Sequence, residues 1–164
     1  MQQELDSLGK IKRFPLPAKM LCWALCAACM AVIFWFSSRT AAESSAQSDI
    51  FLAFFQKLFG DGFLTDFIVR KSAHFAEFAG LGFLFALAFY IQCGKTKTPF
   101  AVLCASAYAV TDEIHQIFVA GRACKIQDWA IDTAGALLGA LILFALLSVI
   151  SKAKKKKADR KSVV

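Results

Sequence analysis

Residues 130–150 read AIDTAGALLGALILFALLSVI, an apolar run interrupted near its start only by Asp132 and Thr133. A bilayer core about 30 Å thick is crossed by roughly 20 apolar helical residues, so this stretch predicts a transmembrane helix. Earlier in the chain, three other apolar stretches of similar length predict spans at residues 20–36, 73–91 and 100–119.

The overall composition agrees with a membrane protein. Of the 164 residues, 58% are hydrophobic and 19% are charged, whereas typical soluble domains contain about 45–50% apolar and about 25% charged residues. The apolar residues, which include 17 Phe, occur in long blocks that a soluble core cannot bury. A soluble enzyme, a coiled coil and a disordered chain are therefore excluded. We predict an all-α polytopic membrane protein with four transmembrane helices and an outer amphipathic helix.

The amphipathic helix is predicted between the first and second spans. The polar residues 44–49 suggest a loop, and apolar residues then recur at helical spacing opposite Asp49, Gln56 and Lys57. This stripe consists of Ile50, Phe51, Phe54, Phe55 and Leu58. Because the segment is too short and too polar to span, we expect it to lie in the outer interface or to cap the bundle.

The basic residues predict the orientation. The net charge is +7, and 13 of the 19 Lys and Arg residues lie before the first span, between the second and third, or after the fourth. Basic residues near span ends favour the cytoplasmic side, so both termini are expected there. The predicted organisation is a cytoplasmic basic N-terminus (1–19), a four-helix transmembrane domain (20–150) and a cytoplasmic basic tail (151–164). The tail is expected to attract anionic membrane lipid rather than nucleic acid.

Cysteines and glycines in the spans indicate packing. The six Cys residues do not form a disulfide framework, and the pair Cys26 and Cys29 lies inside hydrocarbon, where thiolate formation is disfavoured. Gly135 and Gly139 form a G-x-x-x-G spacing, which allows another helix backbone to approach the fourth span closely, within the bundle or between copies.

The ionisable residues of the predicted spans cluster at their outer ends. Such groups are costly at membrane depth, so they are expected to face inward and to pair. Five are candidate catalytic residues: His74, Glu77, Asp112, Glu113 and His115. Candidate substrate-binding residues are Lys71, Gln116, Arg122, Asp128 and Asp132.

Three hypotheses explain this cluster. In the first hypothesis, the cluster is a structural ion-pair network in which Lys71 and Arg122 face the carboxylates. Alternatively, it is a site for an anionic headgroup or lipid-linked cell-wall precursor. There His74 or His115 acts as general acid or base, and Arg122 and Lys71 clamp the anion.

The third hypothesis is a zinc or manganese site formed by His74 with Glu77, and by Asp112 or Glu113 with His115. The spacing matches no known metal signature, so no metal ligand or cofactor is assigned.

Three motifs in the cluster also carry a family resemblance. KSAHFAEF (71–78), TDEIHQIF (111–118) with Arg122, and DWAIDTAG (128–135) resemble the VanZ-like membrane family over residues 50–150. The first span and the basic tail lie outside this resemblance. It implies a small multi-pass protein of the bacterial cytoplasmic membrane, acting in the cell envelope. The family's namesake gives low-level resistance to the glycopeptide teicoplanin. The resemblance implies no particular reaction, and whether the protein is an enzyme stays open.

Overall fold

A computed structural model describes residues 14–59 and 65–162 of the chain, and the regular structure in these residues is entirely helical. The all-α prediction is therefore confirmed for this part of the chain. The residues before Phe14, which make up most of the predicted N-terminal segment, lie outside it. The helices are α1 (Leu16–Ser37), α2 (Ala41–Phe59), α3 (Asp66–Cys93), α4 (Thr98–Gln116) and α5 (Ile126–Ser162).

Three of these helices are long and apolar enough to cross a membrane. The qualifying segments are Leu16–Ser37, Asp66–Cys93 and Ile126–Lys154, which contain the predicted first, second and fourth spans. The predicted third span coincides with α4, which does not qualify within the described residues. The physical reason is that α4, although long enough at 19 residues, ends in the polar sequence TDEIHQ, which lowers its mean hydropathy. The structure thus shows three candidate spans where the sequence predicted four.

The bundle is centred on α3, which packs against each of the other four helices. Its largest interface is with α5, where small residues bring the two backbones close together. A Cβ atom added at Gly139 would collide with the backbone of Ala79, and one added at Gly135 would collide with that of Phe75. The predicted close approach at the G-x-x-x-G spacing therefore occurs within the bundle.

Small side chains also seat α4 against its neighbours. Ala101, Ala105 and Ala109 recur every four residues and are fully buried. This spacing places them on one face of the helix, one turn apart. Two side chains add polar ties: the Tyr108 hydroxyl donates to the Met30 carbonyl oxygen at 2.6 Å, and the Trp129 indole N–H donates to Ser106 Oγ at 3.0 Å.

Large apolar side chains cover the outside of the bundle. Leu16, Leu103 and Val149 are 67%, 66% and 65% exposed, and many others on the same helices are similarly open. Soluble monomers rarely expose such extensive apolar surface, whereas a lipid-facing surface requires it. All six cysteines are free thiols.

Helix α2 begins earlier than predicted. The backbone N–H of Thr40 donates to Glu43 Oε2 at 2.9 Å, and the N–H of Glu43 donates to Thr40 Oγ1 at 3.3 Å. These reciprocal bonds form a capping box, and they lower the pKa of the Glu43 carboxyl. The predicted loop at residues 44–49 is therefore wrong, because the chain is helical from Ala41 onward.

The two faces of α2 differ in burial. Ser48 is buried, and the Ser45 hydroxyl donates to Asp66 Oδ2 of α3 at 3.3 Å. Ile50 and Phe51 are exposed on the outside. The side chains of the predicted stripe residues Phe55 and Leu58 lie outside the described part of the structure.

Candidate functional site

A cavity of about 180 Å³ opens at the end of the bundle where α3 and α5 begin and α4 ends. The loop after α4 closes one side of it, because the Ala41 N–H donates to the Ala120 carbonyl oxygen and Gly121 turns the chain with a positive φ of 75°. Seven of the ten residues predicted from the sequence line this cavity: Lys71, His74, Glu113, Gln116, Arg122, Asp128 and Asp132.

Four basic side chains line the cavity. Two of them are paired with carboxylates: Arg70 lies 3.1 Å from Asp66, and Lys71 forms an ion pair with Asp128. The other two, Arg122 and Lys125, have no carboxylate within 4.0 Å in the described part of the chain. The cavity therefore has two cationic side chains that form no ion pair within the described residues.

The Arg122 side chain is held in place through its Nε atom. Its Nε donates to the carbonyl oxygen of Arg39 at 2.9 Å, which ties the loop to the end of α1. Burial lowers the pKa of the Arg122 guanidinium, and the negative charge of Asp112 opposes this effect. An arginine remains cationic at neutral pH under such a shift, so its terminal nitrogens can bind an anion through two bonds at once.

Two buried carboxylates, Glu113 and Asp132, line the cavity, and a third, Asp112, lies next to Asp132 without lining it. Asp132, Asp112 and Glu113 are 1%, 2% and 3% exposed. Glu113 Oε2 accepts the Lys125 backbone N–H at 2.7 Å, which fixes the end of the loop directly before α5. Glu113 Oε1, Asp112 Oδ1 and both oxygens of Asp132 have no hydrogen-bond partner in the described structure.

His74 lies next to two of these carboxylates. Its Nδ1 is 3.9 Å from Asp132 Oδ1, and one ring nitrogen lies within 4.8 Å of a carboxylate oxygen of both Asp112 and Asp132. These three residues come from α3, α4 and α5. The metal ligands considered from the sequence were His74 with Glu77, and Asp112 or Glu113 with His115, so the structure assembles a different set that adds Asp132.

The second histidine lies elsewhere. His115 stacks on the Phe34 ring of α1 with a centroid distance of 4.3 Å, and its Nε2 is 3.1 Å from Ser38 Oγ. Neither His115 nor Glu77 lines the cavity, although Glu77 is half-buried on the same helix as His74. The structure therefore does not bring all five candidate catalytic residues together, and His74 is the histidine beside the carboxylates.

The predicted ion-pair network is only partly formed. Lys71 pairs with Asp128, but within the described residues no base lies within 4.0 Å of Asp112, Glu113 or Glu77. Asp112 Oδ2 is instead stabilised by neutral donors, the Ser37 hydroxyl at 2.8 Å and the Gln116 amide at 2.9 Å.

Compared with known protein families, residues 22–148 match VanZ/LLP1. The chain belongs to the VanZ/LLP1 family. No curated protein and no solved structure matches it. The matched region begins at Cys22, so it includes most of α1, which the resemblance seen in the sequence had left out.

The cavity of this VanZ/LLP1 chain also contains residues that sequence reasoning missed. Arg70 and Lys125 line it. Both belong to the few basic residues predicted on the outer side, and this position was reason enough to name them as candidate site residues. Ser37 gave no such signal, because a serine at the end of an apolar span is common and only the fold brings it to Asp112.

Proposed function

We propose that this VanZ/LLP1 protein binds the anionic headgroup of a lipid or lipid-linked cell-wall precursor at the outer face of the bacterial cytoplasmic membrane. One observation carries the proposal: Arg122 and Lys125 line the cavity without a carboxylate partner in the described chain. Phosphate or carboxylate oxygens supply the missing negative charge, and Arg binds them in a bidentate manner. His74 is the group beside the cavity that can move a proton when a bound headgroup is processed.

The proposal includes a topology with α4 as the fourth span and both termini in the cytoplasm. Its support is the distribution of basic residues, together with the buried alanine face of α4 against α3 and α5. In this arrangement the cavity lies at the outer face, and α2 lies along the outer interface with Ile50 and Phe51 toward lipid.

The proposal is tested by native mass spectrometry of the detergent-purified protein with phosphatidylglycerol and, separately, with neutral phosphatidylcholine. We expect selective retention of the anionic lipid. Arg122→Gln removes a charge-assisted contact worth about 1.5–3 kcal/mol, so it should weaken this binding roughly tenfold or more. Lys125→Gln should weaken it less, because the Lys125 side chain is exposed.

Lys95→Gln is the matched control for Lys125→Gln, because Lys95 is equally exposed but lies at the opposite end of the bundle. Equal binding of both lipids, or an equal loss in Lys95→Gln, contradicts the proposal. In cells, we propose that expression of the wild type raises low-level teicoplanin resistance of a susceptible bacterium and that Arg122→Gln abolishes the increase.

The alternative is a non-catalytic membrane protein whose polar cluster is structural. The Lys71–Asp128 ion pair favours it. The two functions differ in the stability of Arg122→Gln, measured as the midpoint of thermal unfolding in detergent. A structural network predicts a lower midpoint together with any loss of lipid, whereas a binding site predicts lost lipid with a nearly unchanged midpoint.

A further inference from the structure

Two buried carboxylates beside the cavity have oxygens that accept no hydrogen bond within the described residues. Asp132 is 1% exposed and neither of its carboxylate oxygens has a hydrogen-bond partner in the described residues. Asp112 is 2% exposed, and its Oδ1 is equally without a partner. Buried charged groups are normally paired, hydrogen-bonded or coordinated to a metal, and two adjacent carboxylates with free oxygens offer ligand atoms to a cation.

His74 supplies a third donor atom at the same place. Its ring nitrogen and one carboxylate oxygen each from Asp112 and Asp132 all lie within 4.8 Å of one another. We propose that these three residues bind a divalent transition-metal ion, Zn²⁺ or Mn²⁺. The two carboxylates neutralise its charge, and the imidazole nitrogen favours such an ion over Mg²⁺ or Ca²⁺, which prefer oxygen ligands.

The geometry needs only a small adjustment. Metal–oxygen and metal–nitrogen bonds of about 2.0–2.2 Å require the three atoms to approach one another slightly, which side-chain rotation achieves. Three protein ligands leave positions open on the ion. Because His74 and Asp132 line the cavity, these positions face its interior, where water or an anionic ligand completes the coordination.

The site joins three helices. His74 lies on α3, Asp112 on α4 and Asp132 on α5, so one bound ion links them at the end of the bundle. The inference goes beyond headgroup binding and does not depend on it, because the three ligands bind the ion whether or not a lipid occupies the cavity.

The test uses the full-length protein, purified in a nonionic detergent, stripped with a chelator and titrated with Zn²⁺ and with Mn²⁺ by isothermal calorimetry. Elemental analysis after dialysis gives the stoichiometry. We expect one ion per chain in the wild type and at least a tenfold loss of affinity in Asp132→Asn and in His74→Gln. His115→Gln should bind as the wild type does, because His115 packs against α1 away from the cavity. Asp49→Asn, which changes an exposed acid on α2, should do so as well.

Thermal unfolding separates a metal site from a structural role. Without metal, Asp132→Asn should unfold at a higher temperature than the wild type, because it removes an unpaired buried charge. Added Zn²⁺ should stabilise the wild type and leave Asp132→Asn unchanged. A lower midpoint for metal-free Asp132→Asn, absence of ion uptake by the wild type, or an equal loss in His115→Gln overturns the proposal.

Arg122→Gln distinguishes the two proposals. We expect it to lose phosphatidylglycerol but to retain the metal. If the wild type and Arg122→Gln both bind the metal and neither binds the lipid, the headgroup proposal alone is wrong. Lipid binding by a wild type that takes up no metal removes the metal proposal alone.

Discussion

The buried hydroxyl of Ser37 orients the carboxylate of Asp112. Ser37 is the last residue of α1, it is fully buried, and it donates to Asp112 Oδ2. Because Gln116 donates to the same oxygen, Oδ2 accepts two hydrogen bonds, while Oδ1 has no hydrogen-bond partner in the described residues. The Asp112 carboxylate is therefore oriented by neutral donors from α1 and α4.

Removing this hydroxyl should destabilise the protein. Ser37→Ala takes away a hydrogen bond to a buried carboxylate, which is worth about 1.5–3 kcal/mol, so we expect a lower midpoint of thermal unfolding in detergent. Ser38→Ala is the matched control, because Ser38 is exposed and bonds to Phe34 and His115 outside the cavity. A midpoint lowered as much by Ser38→Ala as by Ser37→Ala contradicts this assignment.

For single residues, the sequence predicts which side chains lie at the same end of the bundle, but not the direction in which each side chain points. Spacing placed His74, Asp112 and Asp132 at one end of the bundle, and the structure brings them within 4.8 Å. His115 shares its helix with Asp112 three residues away, yet its ring turns toward Phe34. Which neighbour a side chain meets depends on the rotation of α4 against α1, and a single sequence does not contain that rotation.

Among the helices, the contact between α3 and α5 depends on the absence of side chains. Gly82 on α3 meets the backbone of Ala136, and Gly139 on α5 meets the backbone of Ala79. Both contacts involve the backbone, which cannot move aside as a flexible side chain does. This close approach brings the beginnings of the two helices together, and with them Lys71 and Asp128.

Gly139→Ala should therefore separate α3 from α5 and lower the midpoint of thermal unfolding in detergent. Overpacking of this kind typically costs about 1–3 kcal/mol. Gly80→Ala is the control: it lies on α3 with no heavy atom within 4 Å of the added Cβ, so the change should stabilise the helix by about 0.5–1 kcal/mol. Equal midpoints for the two variants would show that the close approach does not support the fold.

Helix limits were predicted less well than helix positions, for a physical reason. Hydropathy marks where a chain prefers lipid, but a helix continues for as long as its backbone bonds are satisfied. Thus α3 begins at Asp66 instead of near residue 73, and α5 continues to Ser162. The start of α2 was readable in TAAE (40–43), the sequence form of a capping box, although its composition suggested a loop.

For the whole molecule, the number of spans and the sides on which the termini lie depend on whether α4 crosses the membrane. Cys93 ends α3 and Cys124 lies between α4 and α5, and both are exposed. If α4 crosses the membrane, the two thiols lie on opposite sides. We expect a membrane-impermeant maleimide applied to intact cells to label a variant that retains only Cys124 and not one that retains only Cys93.

Permeabilised cells provide the control, since both variants should then react. Labelling of the two cysteines from the same side would show that α4 does not cross, which leaves the three candidate spans and places the termini on opposite sides. Labelling of Cys93 alone in intact cells would invert the whole arrangement and place the cavity in the cytoplasm.

The length of α5 has a consequence for the basic tail. At about 1.5 Å per residue, its 37 residues extend for roughly 55 Å, well beyond a hydrocarbon core of about 30 Å. The tail continues the same helix as the candidate span, so it extends away from the bilayer surface instead of lying along it. Electrostatic attraction to headgroups fades over about 8 Å at physiological salt. The first turn after Ile150 thus stays within reach of the lipid headgroups, and the last turns lie beyond the range of this attraction.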